Sequence, residues 1–145
     1  MKWGVSKVSI PVFDLEESIN FYNFILGNDI ETKINDVDFL DEYYICGGNI
    51  ELRLYKLKNE LSNNHSGIHI NKADFTFSWR NNFMHNPTIG GHPAFNVKDI
   101  KLFLKKLKSS DIAVTDAKIY AMPNIHQIYF FDPSANIIEV NQNIN

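Results

Sequence analysis

The 145-residue chain predicts an α+β protein built from two successive βαβββ modules. Three observations carry that expectation. Each half reads strand, capped helix, then three strands. The halves superpose when Asp14 is laid on Asp99, the two aspartates that open the helices. Polar residues then fall on matching positions: Lys7 and His92 each lie seven residues before the aspartate, and Glu51 and Glu139 each lie in the fourth strand of their half.

In the first half, Val8, Ile10 and Val12 alternate with Lys7, Ser9 and Pro11, as in a strand with one apolar face. Asp14 is placed as a helix N-cap, with Glu17 able to complete a capping box. Leu15, Ile19, Tyr22 and Leu26 follow at helical spacing, and Gly27 supplies the stop. Strands are expected over 30–34, 39–46 and 50–55, with Gly47-Gly48-Asn49 turning between the last two. In the second half, Pro93, Phe95 and Val97 alternate with His92, Ala94 and Asn96. Asp99 caps a helix carrying Ile100, Phe103, Leu104 and Leu107. Strands are expected over 112–114, 125–131 and 136–140, with Asp132-Pro133-Ser134-Ala135 as the last turn. The residues expected in the core include Val8, Ile10, Phe95, Leu104, Phe130 and Ile138. Between the modules, 56–91 is long for a connection. Alternation in Ile68/Ile70 and Phe75/Phe77/Trp79 predicts a hairpin turning near 71–74, either an added edge or dimer contact or a lid bringing Trp79 or Phe83 over the cavity.

Composition narrows the function classes. Hydrophobic residues make up 44% and charged residues 21%, as in an ordinary globule. The net charge of −3 gives no footprint for nucleic acid. No apolar run reaches the ~18 residues of a membrane span, and no signal peptide is read at the N-terminus, so the expected location is cytoplasmic. Cys46 is the only cysteine, which leaves no disulfide framework. A helix must cover the apolar face of each sheet. The opposite face, carrying Lys7, Ser9, Glu51, Arg53 and Tyr55 from one half and His92, Asn96, Tyr129 and Glu139 from the other, is left to line a cavity. Arg53 there either pairs with a glutamate or awaits an anionic substrate. His65 and His69 are expected to be solvent-exposed, and His126 to be packed or exposed.

Two stretches are distinctive: Val12-Phe13-Asp14-Leu15-Glu16-Glu17-Ser18-Ile19-Asn20-Phe21-Tyr22 with Leu26-Gly27, and Ile128-Tyr129-Phe130-Phe131-Asp132-Pro133-Ser134-Ala135-Asn136-Ile137-Ile138-Glu139. With His92-Pro93-Ala94-Phe95-Asn96-Val97, they resemble the vicinal oxygen chelate superfamily, which holds glyoxalase I, extradiol dioxygenases and the fosfomycin- and bleomycin-resistance proteins. The resemblance covers residues 5–55 and 91–142. It implies a single glyoxalase-like domain over 1–145, with module 1 at about 5–55, a linker at about 56–91 and module 2 at about 92–142. It also implies cup-shaped mixed sheets with helices on their outer faces, and a homodimer.

Family metal enzymes place a histidine on the first strand, a histidine on the fifth and a glutamate on the eighth; glyoxalases add a carboxylate on the fourth. The resemblance therefore implies His92, Glu139 and Glu51 as metal ligands, with Lys7 where the family's first histidine stands. Ala135 replaces the glycine usual in the Asp-Pro turn. A protonated Lys7 would repel a cation, so its ammonium is expected to take the metal's place unless the other three ligands hold a weakened site. The cofactor is accordingly Zn, Ni, Mn or Fe, or none. Two functions follow. One is a lyase or isomerase similar to lactoylglutathione lyase, with Glu51, Glu139 and Tyr129 as proton-transfer groups. The other is a metal-free module binding an antibiotic or metabolite, with Lys7, Ser9, Arg53, Asn96 and Trp79 as contacts.

Overall fold

The structure, a computed structural model, describes residues 8–27, 29–37, 40–46, 72–120 and 123–144. Helix α1 spans Leu15–Leu26. Its start is fixed by Asp14, in extended backbone, whose Oδ1 accepts from Glu17 N–H at 2.9 Å. The reciprocal bond of a capping box, from the Asp14 N–H to the Glu17 carboxylate, is not found among the described residues. Its end is fixed by Gly27, at φ 68° in the left-handed region, whose N–H reaches Asn23 O. Ile19, Tyr22 and Ile25 turn inward. Strands β1 (Asp29–Val37) and β2 (Leu40–Cys46) pair antiparallel, from Asp29 opposite Cys46 to Val37 opposite Leu40.

Residues 8–12 form no strand, contrary to their alternating pattern. The strand expected over 50–55 lies outside the described residues. Outside a strand, alternation imposes no inward face. Val8 is 49% exposed rather than buried, and Ile10 is half-buried against the core.

The second module follows the expected order. Strand β3 (Ala94–Asn96), a helix at Ile100–Lys108, β4 (Val114–Lys118), β5 (Ile125–Phe131) and β6 (Ile137–Asn143) form one βαβββ unit. The sheet order is β3-β6-β5-β4, with β3 parallel to β6 and the other pairs antiparallel. The first and last strands of the unit are thus neighbours. Asp99 caps that helix by accepting from Lys101 N–H and Leu102 N–H, each at 3.0 Å. Its Ile100, Leu104 and Leu107 pack on Ile128, Phe130, Ile138 and Val140, one face of β5 and β6. Tyr22 and Ile25 of α1 enter the same cluster, and Phe95 lies half-buried at its edge. Each fully buried side chain of this size contributes about 1.5–3 kcal/mol.

The second arm of the expected hairpin is helical. Phe77–Asn81 forms a short helix, α2, which makes the Ile100–Lys108 helix α3 in chain order. The first arm, 67–71, lies outside the described residues. A short apolar alternation is compatible with either helix or strand, and here ring packing decides. Phe77, Phe83 and Tyr120 meet edge to face with centroids 5.4–5.9 Å apart. Asn82, at φ 54°, turns the chain so that Phe83 returns to Phe77.

Asp132 anchors α1 to the second module. Its carboxylate accepts from the Tyr22 hydroxyl at 2.8 Å, from Ser134 N–H at 2.9 Å and from Asn136 N–H at 2.8 Å. The Asn136 amide bridges Asp132 and the Pro11 carbonyl, and Phe13 N–H donates to Ser134 Oγ. The Asp-Pro turn is therefore a joint between halves as well as a hairpin connection.

Candidate functional site

Helices cover one face of the four-stranded sheet, and strand register arranges the side chains on the other. Thr115, Tyr129, Glu139 and Ala94 lie side by side across β4, β5, β6 and β3. Two residues further along β6, Asn141 lies between Asn96 of β3 and Gln127 of β5. His92, two residues before Ala94, takes the same side of the sheet.

At the centre, His92 Nε2 lies 3.0 Å from Glu139 Oε2, both side chains largely shielded from solvent. Gln127 Nε2 donates to the other oxygen, Oε1, at 2.8 Å, and Asn141 adds a further side-chain bond. Burial raises the Glu139 pKa, but the hydrogen bonds from His92, Asn141 and Gln127 together outweigh it and hold the carboxyl below its ordinary 4.5. Glu139 is therefore ionised at neutral pH, and an ionised carboxylate only accepts, so His92 Nε2 carries a proton. Tyr129 is buried, with its ring edge-on to His92 at 6.1 Å. Burial and then the neighbouring Glu139 charge push its phenol well above the ordinary 10, which keeps it protonated and a donor.

A second histidine closes one side. His85 is 2% exposed, lies edge-on to Phe131 at 4.4 Å, and its Nδ1 lies 2.7 Å from Thr115 Oγ1. That oxygen already accepts from Met84 N–H and His85 N–H. With both lone pairs used, the hydroxyl donates to Nδ1, which places the ring proton on Nε2. Burial lowers the His85 pKa, in keeping with a neutral ring.

Of the residues expected at the site, His92, Tyr129 and Glu139 are brought together, and Asn96 lies half-buried on the same face. Ser9 is exposed, and Trp79 is 82% exposed on α2. Lys7, Glu51 and Arg53 lie outside the described residues, as do His65 and His69. His126 alternates to the helix side and bonds Asp116 at 2.6 Å, a packed histidine as expected. Gln127, Asn141, His85 and Thr115 were not singled out from the sequence. Gln127 and Asn141 stand two residues from Tyr129 and Glu139, so period-two spacing alone could have found them.

Nitrogen and oxygen ligands about 2.1 Å from one ion at a right angle lie about 3 Å apart. The 3.0 Å between His92 Nε2 and Glu139 Oε2 fits two adjacent positions on a divalent cation. Among the described residues, no group of three or more His, Cys, Asp or Glu side chains gathers as a full ligand set.

A βαβββ unit with its helix on one sheet face and a shielded histidine–glutamate pair on the other agrees with the vicinal oxygen chelate class that the sequence resembles. The chain belongs to the Glyoxalase/Bleomycin resistance protein/Dioxygenase superfamily, whose profile matches residues 4–140. Similar solved structures include a glyoxalase family protein from Bacillus anthracis, 24% identical, covering 99% of each chain with a TM-score of 0.58. An antibiotic-binding protein from a Streptomyces species is 19% identical, covering 98% of this chain and 97% of its own, at 0.57. The fosfomycin resistance protein FosX from Listeria monocytogenes, solved as a variant with Mn(II) and 1S,2S-dihydroxypropylphosphonic acid, is 14% identical, covering 97% and 92%, at 0.55. At these identities the likeness carries the fold. No curated protein matches the chain.

Proposed function

We propose that the chain binds a small molecule on the sheet face that carries His92, Tyr129 and Glu139. The observation that supports this most is the His92–Glu139 pair at 3.0 Å, a buried charge centre on the face away from the hydrophobic core. A carboxylate kept ionised in a shielded site is an orienting group for a ligand. Tyr129 offers a donor beside it, so the pair of residues presents an acceptor and a donor to one ligand.

The residue types of the pair permit a metal-assisted form of this reading, in which an ion would take the place of the proton on His92 Nε2. His92 and Glu139 would hold the ion, with Glu51 as the third ligand. The bound ion would polarise neighbouring oxygens of the ligand. Glu51 or Glu139 would then shuttle a proton between ligand atoms, with Tyr129 as a hydrogen-bond donor or acid, as a lyase or isomerase requires. The metal-free form replaces the ion with the Lys7 ammonium and leaves a binding module, in the manner of an antibiotic-sequestering protein.

Elemental analysis of untagged protein separates the two forms. About one Zn, Ni, Mn or Fe per chain, lost in His92→Ala, supports the lyase form. Metal-free protein in which Lys7→His gains nickel or zinc affinity supports the binding module. Small-molecule binding unaffected by both His92→Ala and Glu139→Gln would reject the site itself.

A further inference from the structure

Residues 74–88 close on themselves. Asp74 N–H donates to Thr88 Oγ1 at 3.0 Å, the Asp74 carbonyl accepts from the Asn86 amide at 2.9 Å, and Asn86 Oδ1 accepts from Thr88 N–H at 3.0 Å. Inside that neck, Phe83 N–H reaches Ser78 O and the Phe83 ring packs on Phe77. A loop tied at its ends and packed by its own side chains can move as one body. Gly90, at φ 75°, follows the neck with a backbone that only glycine adopts without strain.

Two contacts fasten this body to β4, the last strand in the sheet order. At one, the Tyr120 ring meets Phe77 and Phe83, and its hydroxyl donates to Asn81 Oδ1 at 2.7 Å. At the other, Thr115 Oγ1 accepts from Met84 N–H at 3.0 Å and His85 N–H at 3.1 Å and donates to His85 Nδ1 at 2.7 Å. Thr115 stands in the row with Tyr129 and Glu139, and Phe131 alternates to the same side. His85, packed on both Thr115 and Phe131, therefore covers the β4 end of the site face.

The Thr115 contact works only with a neutral ring. A protonated histidine carries N–H on both nitrogens. Its Nδ1–H would point at an oxygen whose lone pairs already serve two backbone donors, and the hydroxyl hydrogen would lose its acceptor. No carboxylate is bonded to the ring among the described residues. On β4, Asp116 turns to the helix side, where His126 and Lys118 hold it. On β5, Tyr129 shares the side of His85 as a neutral phenol. On β6, Glu139 lies two strands away, about 9–10 Å across the row, and bonds His92. Within the loop, Asp74 pairs with Arg80 at the surface.

We infer that His85 is a pH-sensitive latch: protonation of its ring releases the loop from Thr115, the loop pivots about Tyr120, and the β4 end of the site face opens to water. The latch stands on these contacts alone; that it uncovers a ligand face rests on the small-molecule reading above. Burial holds the His85 pKa below the ordinary 6.5, so closure is strongest above 6.5 and weakens as pH falls beneath it. Each further unit favours the open loop by about tenfold until the closed form itself takes up the proton.

The test is residue-resolved amide exchange on the full chain, corrected for the intrinsic effect of pH on exchange. Between about pH 7.5 and about pH 5, the Met84 and His85 amides are expected to lose protection by about tenfold or more. Arg80 and Phe83, bonded within the loop, and the interior strands β5 and β6 are expected to keep theirs. His85→Gln, whose carbonyl accepts from the Thr115 hydroxyl but takes up no proton, is expected to hold both amides at both pH values. Thr115→Val is expected to expose them at both, and Thr115→Ser to restore the wild-type pattern. Equal protection of Met84 and His85 at the two pH values overturns the proposal, as does the same loss in His85→Gln or a loss shared by β5 and β6. If His85→Gln does not fold, ring-nitrogen NMR of the wild-type protein decides. Amide loss that follows the titration of His85 Nδ1 supports the latch, and loss that follows another histidine overturns it. Release on this schedule in a protein that binds no small molecule leaves the latch standing and fails only the reading of the face.

Discussion

Ala135 sits at φ 63° in the Asp-Pro turn, a left-handed backbone that disfavours any residue with a Cβ. The turn holds it there because Ala135 N–H reaches Asp132 O at 3.0 Å while Asn136 N–H reaches the Asp132 carboxylate. Glycine would remove the Cβ clash and loosen the unfolded chain, and the first effect is the larger. Ala135→Gly is expected to stabilise the protein by about 0.5–1 kcal/mol, read as a rise in urea midpoint at unchanged slope. Glu139 makes a prediction of opposite character. Its folded pKa is lowered, so its hydrogen bonds contribute stability that is fully present above the ordinary 4.5 and is lost as pH falls through the folded value. Glu139→Gln should therefore be the less stable protein at pH 7, and the gap between it and the wild type should narrow below pH 4.5. A gap constant from pH 7 to pH 3 would contradict the ionised carboxylate.

Among the elements, α1 depends on a contact made 110 residues away, the Tyr22 hydroxyl to Asp132. Removing the donor alone leaves the carboxylate three other hydrogen bonds, whereas removing the carboxylate strands several donors at once. Tyr22→Phe is expected to cost about 1–1.5 kcal/mol and Asp132→Ala about 3 kcal/mol or more, with the double variant close to Asp132→Ala in a thermal-melt cycle. The sequence showed the ends of α1 and α3 because caps are local chemistry: Asp14, Gly27 and Asp99 act within four residues of themselves. It showed β5 and β6 because Ile128, Phe130, Ile138 and Val140 recur at period two on the face that packs against α3. It misplaced Phe77–Asn81, where aromatic contacts with Tyr120, far along the chain, override a pattern too short to specify a period. The site was half legible for a related reason. His92 and Glu139 carry charge chemistry that stands out by residue type, but Gln127 and Asn141 act only through strand register, and His85 only through a loop packed on Thr115.

At the scale of the whole molecule, a helix from the first half and the helix and sheet of the second share one apolar cluster. Phe130 is fully buried in it, tilted against both Phe21 of α1 and Phe103 of α3. Phe130→Ala is expected to cost about 3–5 kcal/mol. Amide hydrogen exchange should then show α1 and α3 losing protection together; loss confined to α3 would mean two independent cores. Surface chemistry supplies the other expectation at this scale. Phe75, Trp79 and Met84 are more than half exposed in one stretch around α2. We expect a homodimer, and sedimentation should show it, with Trp79→Ser weakening association if this stretch lies at the contact.

The joint at Asp132 bears on how such a chain can be divided. The polar stretch 58–66 is the natural place to cut between the two repeats. Yet a fragment ending there would carry α1 with Tyr22 and Ile25 bare, and its complement would keep the turn and the floor of the cluster without their cover. The two pieces should be poorly folded apart and should find each other when mixed, restoring tyrosine burial and helical signal in a one-to-one heterodimer. A tandem repeat that looks like two beads on a string would then behave as a lock and its own key, each half holding the surface that the other lacks.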